Sequence, residues 1–231
     1  MPETKALTVI DGKTLLSLEV DPQKFIINRF LPVGVHILAG SPKIGKSWLA
    51  LWLCQQVSKG EPVWEFDTLQ CGTLYISMED TIDRLHFRLS RITDESSERS
   101  YFTTNADSLS GTLITQLEQF IRDYPDTGLI VIDTFQRVRD NADKTGYATD
   151  YEEIKKIKAV ADNSKIAVVL VHHLRKMPDS DPFNMVSGTT GIIGAVDGLY
   201  ILDKDNRTDN KARLHITGRD YGTVERASRT Q

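Results

Sequence analysis

Apolar positions along this 231-residue chain fall into short runs that switch repeatedly between two periods. Residues 34–39 (GVHILA) are rich in β-formers and end at Gly40. The period then becomes helical: Leu49, Trp52, Leu53 and Val57 share a face over residues 46–59, and Gly60 supplies a stop. Residues 73–77 (TLYIS) read as a strand after a turn at Cys71 and Gly72. Ile82, Leu85, Leu89 and Ile92 recur at helical spacing, and residues 112–123 predict a helix burying Leu113, Leu117, Phe120 and Ile121. Residues 129–132 (LIVI) and 166–171 (IAVVLV) are continuous apolar runs, as strands covered on both faces require. Between them, Thr149 and Glu152 have capping-box spacing ahead of Ile154, Ile157 and Val160. Residues 199–202 and 214–217 predict two further strands.

Such persistent alternation predicts an α/β fold, a mainly parallel sheet flanked by helices on both faces. Residues 1–33 show no sustained period and read as an N-terminal arm; residues 34–231 form the domain. Two polar loops, 137–150 and 175–187, each follow a buried strand, where α/β folds place function.

Composition narrows the classes. Hydrophobic residues make up 40% and charged residues 26%, a globular balance. The net charge of −4 means that nucleic-acid contact depends on local basic loops rather than a global field. Two isolated cysteines, Cys54 and Cys71, provide neither a disulfide framework nor a metal cluster. The first twenty residues lack a basic segment followed by an apolar core, and no run is long enough to cross a bilayer. A cytoplasmic protein without membrane contact is expected.

The sharpest chemistry lies between the first strand and the first helix. Gly40-Ser41-Pro42-Lys43-Ile44-Gly45-Lys46-Ser47 matches G-x-x-x-x-G-K-[ST] in full. Glycines let the backbone N–H groups converge on phosphate oxygens. Lys46 brings a point charge to the β- and γ-phosphates, Ser47 is a Mg2+ ligand, and the helix opening through Trp48 adds its positive end. ATP with Mg2+ is the expected cofactor set. Asp133 closes LIVID, where a carboxylate holds a magnesium-bound water, and Thr134 follows in the same shell. Glu79 closes YISM and suits the base that deprotonates an attacking water; Asp80 is the better helix cap by residue type. His172 and His173 end a strand and point to opposite faces, which argues against a shared metal. Arg84, Arg88 and Arg91 fall on one helical face and read as a solvated stripe.

In order, GSPKIGKS, YISMED, LIVIDT, VVLVHH and HITGRD resemble the RecA-like ATPase core, in particular the RepA-type replicative helicases and their DnaB-like relatives, over roughly residues 25–222. The resemblance implies that Glu79, with Lys46, is catalytic and that Asp133 is the Walker B aspartate. It also implies that His173 senses the γ-phosphate and that Arg219 is near the arginine finger inserted into a neighbour's site. A finger acting in trans demands a ring or filament. Two departures from the resemblance are read here: Thr217 occupies the place of a lysine in DnaB-like helicases, and a core without an attached primase or DnaB-type N-terminal domain is expected.

The resulting expectation is a homo-hexameric ATPase that translocates on single-stranded DNA. Arg137, Arg139, Lys144, Arg175 and Lys176 would contact phosphates, with backbone contact outweighing base stacking. A RecA-like recombination or regulatory ATPase remains open, as does a nucleotide-gated assembly module with little hydrolysis.

Overall fold

A computed structural model describes residues 9–19, 24–139, 146–174, 182–186, 190–204, 211–219 and 224–229. The chain enters through a short helix α1 (Gly12–Ser17), capped by the Asp11 carboxylate and burying none of its residues. A small antiparallel pair follows, β1 (Phe25–Ile27) and β2 (Leu31–Pro32). Then come β3 (Gly34–Gly40), α2 (Lys46–Lys59), β4 (Gly72–Ser77), α3 (Ile82–Ile92), β5 (Ser100–Thr103), α4 (Leu113–Asp123) and β6 (Thr127–Asp133). The remainder runs α5 (Phe135–Val138), α6 (Tyr147–Ser164), β7 (Ala167–His173), α7 (Thr190–Ala195), β8 (Gly198–Asp203), β9 (Lys211–Gly218) and β10 (Val224–Arg229).

The main sheet has eight strands in the order β10-β9-β8-β3-β7-β6-β4-β5. Every pairing from β8 through β5 is parallel; β9 and β10 extend one edge antiparallel. The continuous apolar runs divide by the two-residue period of a strand. Leu38, Leu129, Val131, Val169 and Val171 join the cluster under α2. Ile37, Ile130, Ile132, Val168 and Leu170 join the one under α4, α6 and α7. Helices thus cover both faces, as the alternation of periods predicts, and all parallel strands point their carboxyl ends to one side of the sheet.

Several local expectations need correction. Residues 25–33 are not separate from the core, because Ile26, Ile27, Phe30 and Leu31 are buried with Leu51 and Tyr75. The Tyr200 hydroxyl donates to the Phe30 carbonyl, tying that segment to β8. The capping box at Thr149 does not form: α6 starts three residues earlier, behind Gly146, with no side-chain cap. Asp80 does not cap α3; the Thr81 hydroxyl does, accepting from Arg84 N–H. Strands β5 and β10 escaped the sequence pattern because SYFT and VERASR, at the two sheet edges, carry no apolar alternation.

Candidate active site

The phosphate loop leaves β3 at Gly40 and enters α2 at Lys46. Its two glycines are required for different reasons. A Cβ at Gly40 would lie 2.7 Å from the Leu202 carbonyl oxygen. Gly45 adopts φ 112°, a left-handed conformation that side chains disfavour. Lys43 also has positive φ, at 64°. The resulting curl holds the Lys46 ammonium, which donates to Gly40 O at 2.7 Å and Ser41 O at 3.0 Å. Burial lowers the Lys46 pKa to about 8, against the opposing pull of Asp133 and Glu79. Trp48 follows on the outer face of the helix, 37% exposed.

Asp133 ends β6, buried and in register with Ser77 on β4. Its carboxylate accepts from Tyr75 Oη at 2.5 Å and also hydrogen-bonds Ser47. Burial raises the Asp133 pKa, while Ser47 and Tyr75 favour its charged form. The Tyr75 pKa rises well above its ordinary value, through burial first and the Asp133 charge second. Ser47 and Asp133 are hard oxygen donors in contact, and they fit a Mg2+ that keeps waters and phosphate oxygens as its other ligands. No cluster of three or more His, Cys, Asp or Glu suited to a metal occurs among the described residues.

Glu79 lies just past β4, half-exposed. It accepts from Thr134 Oγ1 at 3.2 Å and pairs with Arg137 Nε at 4.0 Å. Its neighbour Asp80 behaves differently: its side chain is 6% exposed, accepts from Ser77 Oγ at 3.2 Å, and holds Arg88 at 2.5 Å and Arg84 at 3.4 Å. Arg88 is therefore no solvated stripe residue. Its guanidinium also lies 5.9 Å from the Trp48 ring centre. At the end of β7, His173 is in register with Gly40. It lies on the α2 face of the sheet, whereas His172 points to the opposite face and meets Phe135. The His173 pKa is lowered, mainly by burial and then by Lys46, and its Nδ1 has no protein hydrogen-bond partner.

Four strand ends thus converge. Lys46, Ser47, Glu79, Asp133 and His173 meet at the carboxyl ends of β3, β4, β6 and β7. The pattern had not singled out Tyr75, and it had read Arg88 as a solvated residue rather than a partner of Asp80. For Tyr75 a signal existed, since it stands two residues before Ser77 on the face that carries Asp133.

The other predicted residues are scattered. Arg139 is corrected: its side chain is 1% exposed and bonds Asp150 and Glu153 of α6, so it is closed off from DNA. Arg137 is accessible at 63%. Lys144, Arg175 and Lys176 lie outside the described residues. Arg219 follows β9, whose Gly218 pairs with Gly198 at the start of β8. Gly40 pairs with Leu202 at the other end of β8, so Arg219 is roughly 15 Å along the sheet from its own phosphate loop, at about 3.3 Å per residue. There it donates to Gly194 O at 2.8 Å and pairs with Asp197 at 3.5 Å, with 54% of the side chain exposed.

A family model described as an AAA domain matches residues 2–179. No curated protein matches the chain. Among solved structures, the ATPase domain of G40P superposes with a TM-score of 0.65 at 15% identity, covering 84% of this chain and 80% of that one. A DnaB-like replicative helicase, solved in a study of its interactions with primase, gives 0.64 at 14% identity, covering 84% of this chain but 56% of that one. The fold of both is the RecA-like P-loop core that the motif order implied.

Proposed function

The chain belongs to the AAA domain family, and from that premise we propose that it binds ATP with Mg2+ and hydrolyses it as the motor of a hexameric RepA-type helicase on single-stranded DNA. The observation that carries this reading is the meeting of Lys46, Ser47, Asp133, Glu79 and His173 at one end of the sheet. Backbone N–H groups of the curled loop and the Lys46 ammonium hold the β- and γ-phosphates. Ser47 and Asp133 hold Mg2+, which when bound neutralises charge developing on the transferred phosphoryl group. Tyr75 orients Asp133 through its hydroxyl. Glu79 accepts a proton from the attacking water, and His173, at the end of β7 beside Gly40, senses the γ-phosphate. Because Arg219 is remote from its own loop, its role as a finger belongs to a neighbouring copy's site.

Arg137 remains the accessible member of the DNA-contact set among the described residues, and Lys144, Arg175 and Lys176 complete the set in this proposal. Hydrolysis assayed with Mg2+ and with a chelator tests the core of it. Phosphate release that requires Mg2+, and that Glu79→Gln abolishes while ATP still binds, is expected. A Glu79→Gln chain as active as the parent contradicts the assignment of the base. Strand separation on a forked duplex distinguishes a helicase from a recombination or regulatory ATPase.

A further inference from the structure

Met78, the first residue past β4, donates its N–H to the Asp133 carbonyl at 2.7 Å, so the chain turns over the end of β6. That turn brings Asp80 back onto Ser77, whose hydroxyl donates to it at 3.2 Å. Ser77 is itself in register with Asp133. A second carboxylate, almost closed off from solvent, therefore lies one residue away from the one assigned to Mg2+. Its charge disfavours ionised Asp133 and the Arg88 charge favours it, so both are felt at that carboxylate. Arg88 is fixed from two sides. It pairs with Asp80 Oδ2 at 2.5 Å, and its guanidinium lies over the ring of Trp48, one residue beyond Ser47. Arg84 reaches Asp80 Oδ1 at 3.4 Å, but its side chain is 62% exposed and solvent screens it.

We infer that Arg88 is a positioning residue of the metal site that acts through charge: it cancels Asp80, so that Ser47 and Asp133 take Mg2+ only together with the phosphates of ATP. The inference rests on the reading of Ser47 and Asp133 as the Mg2+ pair. A hard divalent cation is held by carboxylate charge, and each added carboxylate tightens the site. A single carboxylate with a hydroxyl is a weak site that leans on substrate phosphates for its remaining ligands. Asp80 without a partner would supply the second carboxylate. Paired with Arg88 it adds no net charge, and the pocket suits the Mg2+–ATP complex rather than the bare ion. The Trp48 ring keeps the guanidinium over Asp80 and beside the start of α2.

The test is Mn2+ binding to the nucleotide-free full chain, read as loss of the free-ion EPR signal. The chains compared are the parent, Arg88→Gln, Asp80→Asn and the double variant. Arg88→Gln leaves both carboxylates uncompensated and should bind Mn2+ at least about tenfold more tightly, because a unit charge close to a divalent ion has been removed. Asp80→Asn leaves the guanidinium alone and should bind it at least about tenfold more weakly. The double variant has the parent's net charge and should return to the parent's affinity. With neither charge left, it encloses no unpaired ion, so its comparison with Asp80→Asn decides the matter even where Arg88→Gln folds poorly. A structural brace without a charge role weakens Mn2+ binding in all three. Folded Arg88→Gln binding no more tightly than the parent, or the double variant binding no more tightly than Asp80→Asn, overturns the inference. Adding Asp133→Asn to Arg88→Gln should abolish the gain. A gain that survives Asp133→Asn places the ion elsewhere, and overturns the Mg2+ assignment and the inference together.

Discussion

Arg137 and Arg139 stand two residues apart, yet one side chain is 63% exposed and the other 1%. Charge and position on a polar loop made them equivalent in the sequence; burial separates them. The Arg139 guanidinium faces Asp150, Glu153 and the Phe135 ring at 5.5 Å. Arg139→Met should destabilise the fold by roughly 3–5 kcal/mol, since it removes the cation from two enclosed carboxylates; a urea midpoint equal to the parent's contradicts this. The salt slope of DNA binding should stay unchanged in that variant, provided it is measured where the variant is folded. The meeting of Glu79, Asp133 and Lys46 at one end of the sheet was legible because each ends or follows a recognisable run. Asp80 was misread because residue type alone favours aspartate as a cap, whereas Arg88 and Arg84 draw it into ion pairs. His36 gives a pH-dependent prediction. It is fully buried, its Nε2 lies 2.8 Å from Pro32 O, and burial lowers its pKa from 6.5 to about 4. Between those values the unfolded chain binds more protons than the folded one, so stability falls as pH drops below 6.5. From pH 6.5 to pH 5 this group alone removes about 2 kcal/mol, at 1.36 kcal/mol per unit. Urea titrations at pH 7 and pH 5 should show a smaller acid loss in His36→Gln than in the parent, and an equal loss rules His36 out as the cause.

Among the elements, those with full-length apolar runs were read with the fewest errors. α2 spans Lys46–Lys59 and ends at Gly60 with φ 74°, as its stop residue predicts. LIVI and IAVVLV became the central strands β6 and β7 because both faces are covered there. The edge strand β5 was hidden for the complementary reason: its residues are only partly buried, and a half-covered strand does not need an apolar pattern. The phosphate loop is the element on which fold and site depend together. Gly40 closes β3 against the Leu202 carbonyl of β8 and also opens the curl around Lys46. Gly40→Ala brings a Cβ to 2.7 Å from that oxygen, and overpacking of this kind costs about 1–3 kcal/mol. A lower urea midpoint and weaker ATP binding by calorimetry are expected together. Loss of ATP binding at an unchanged midpoint would mean that the glycine serves the ligand alone and not the β3–β8 contact.

For the whole molecule, the parallel sheet brings five site residues to one side and leaves Arg219 at the far end of β8. The motif order anticipated the first arrangement, but no sequence pattern reports the distance between Arg219 and Lys46. That distance depends on β9 running antiparallel to β8. If Arg219 completes a neighbour's site, Arg219→Ala should lose most turnover and keep ATP affinity, because a finger acts on transition-state charge. Mixing Arg219→Ala with Glu79→Gln chains should restore part of the activity, since some interfaces then pair an intact base with an intact finger. Mixed assemblies as inactive as either parent variant, with co-assembly verified, exclude the trans role. Whether the chain is a Mg2+-dependent ATPase driven by single-stranded DNA is decided by the rate of phosphate release as oligothymidine is titrated into the parent chain and into Lys46→Ala. The parent rate should rise with DNA and saturate, while Lys46→Ala stays at background. A parent rate that does not rise with DNA, or that stays at the Lys46→Ala background throughout the titration, rules this function out.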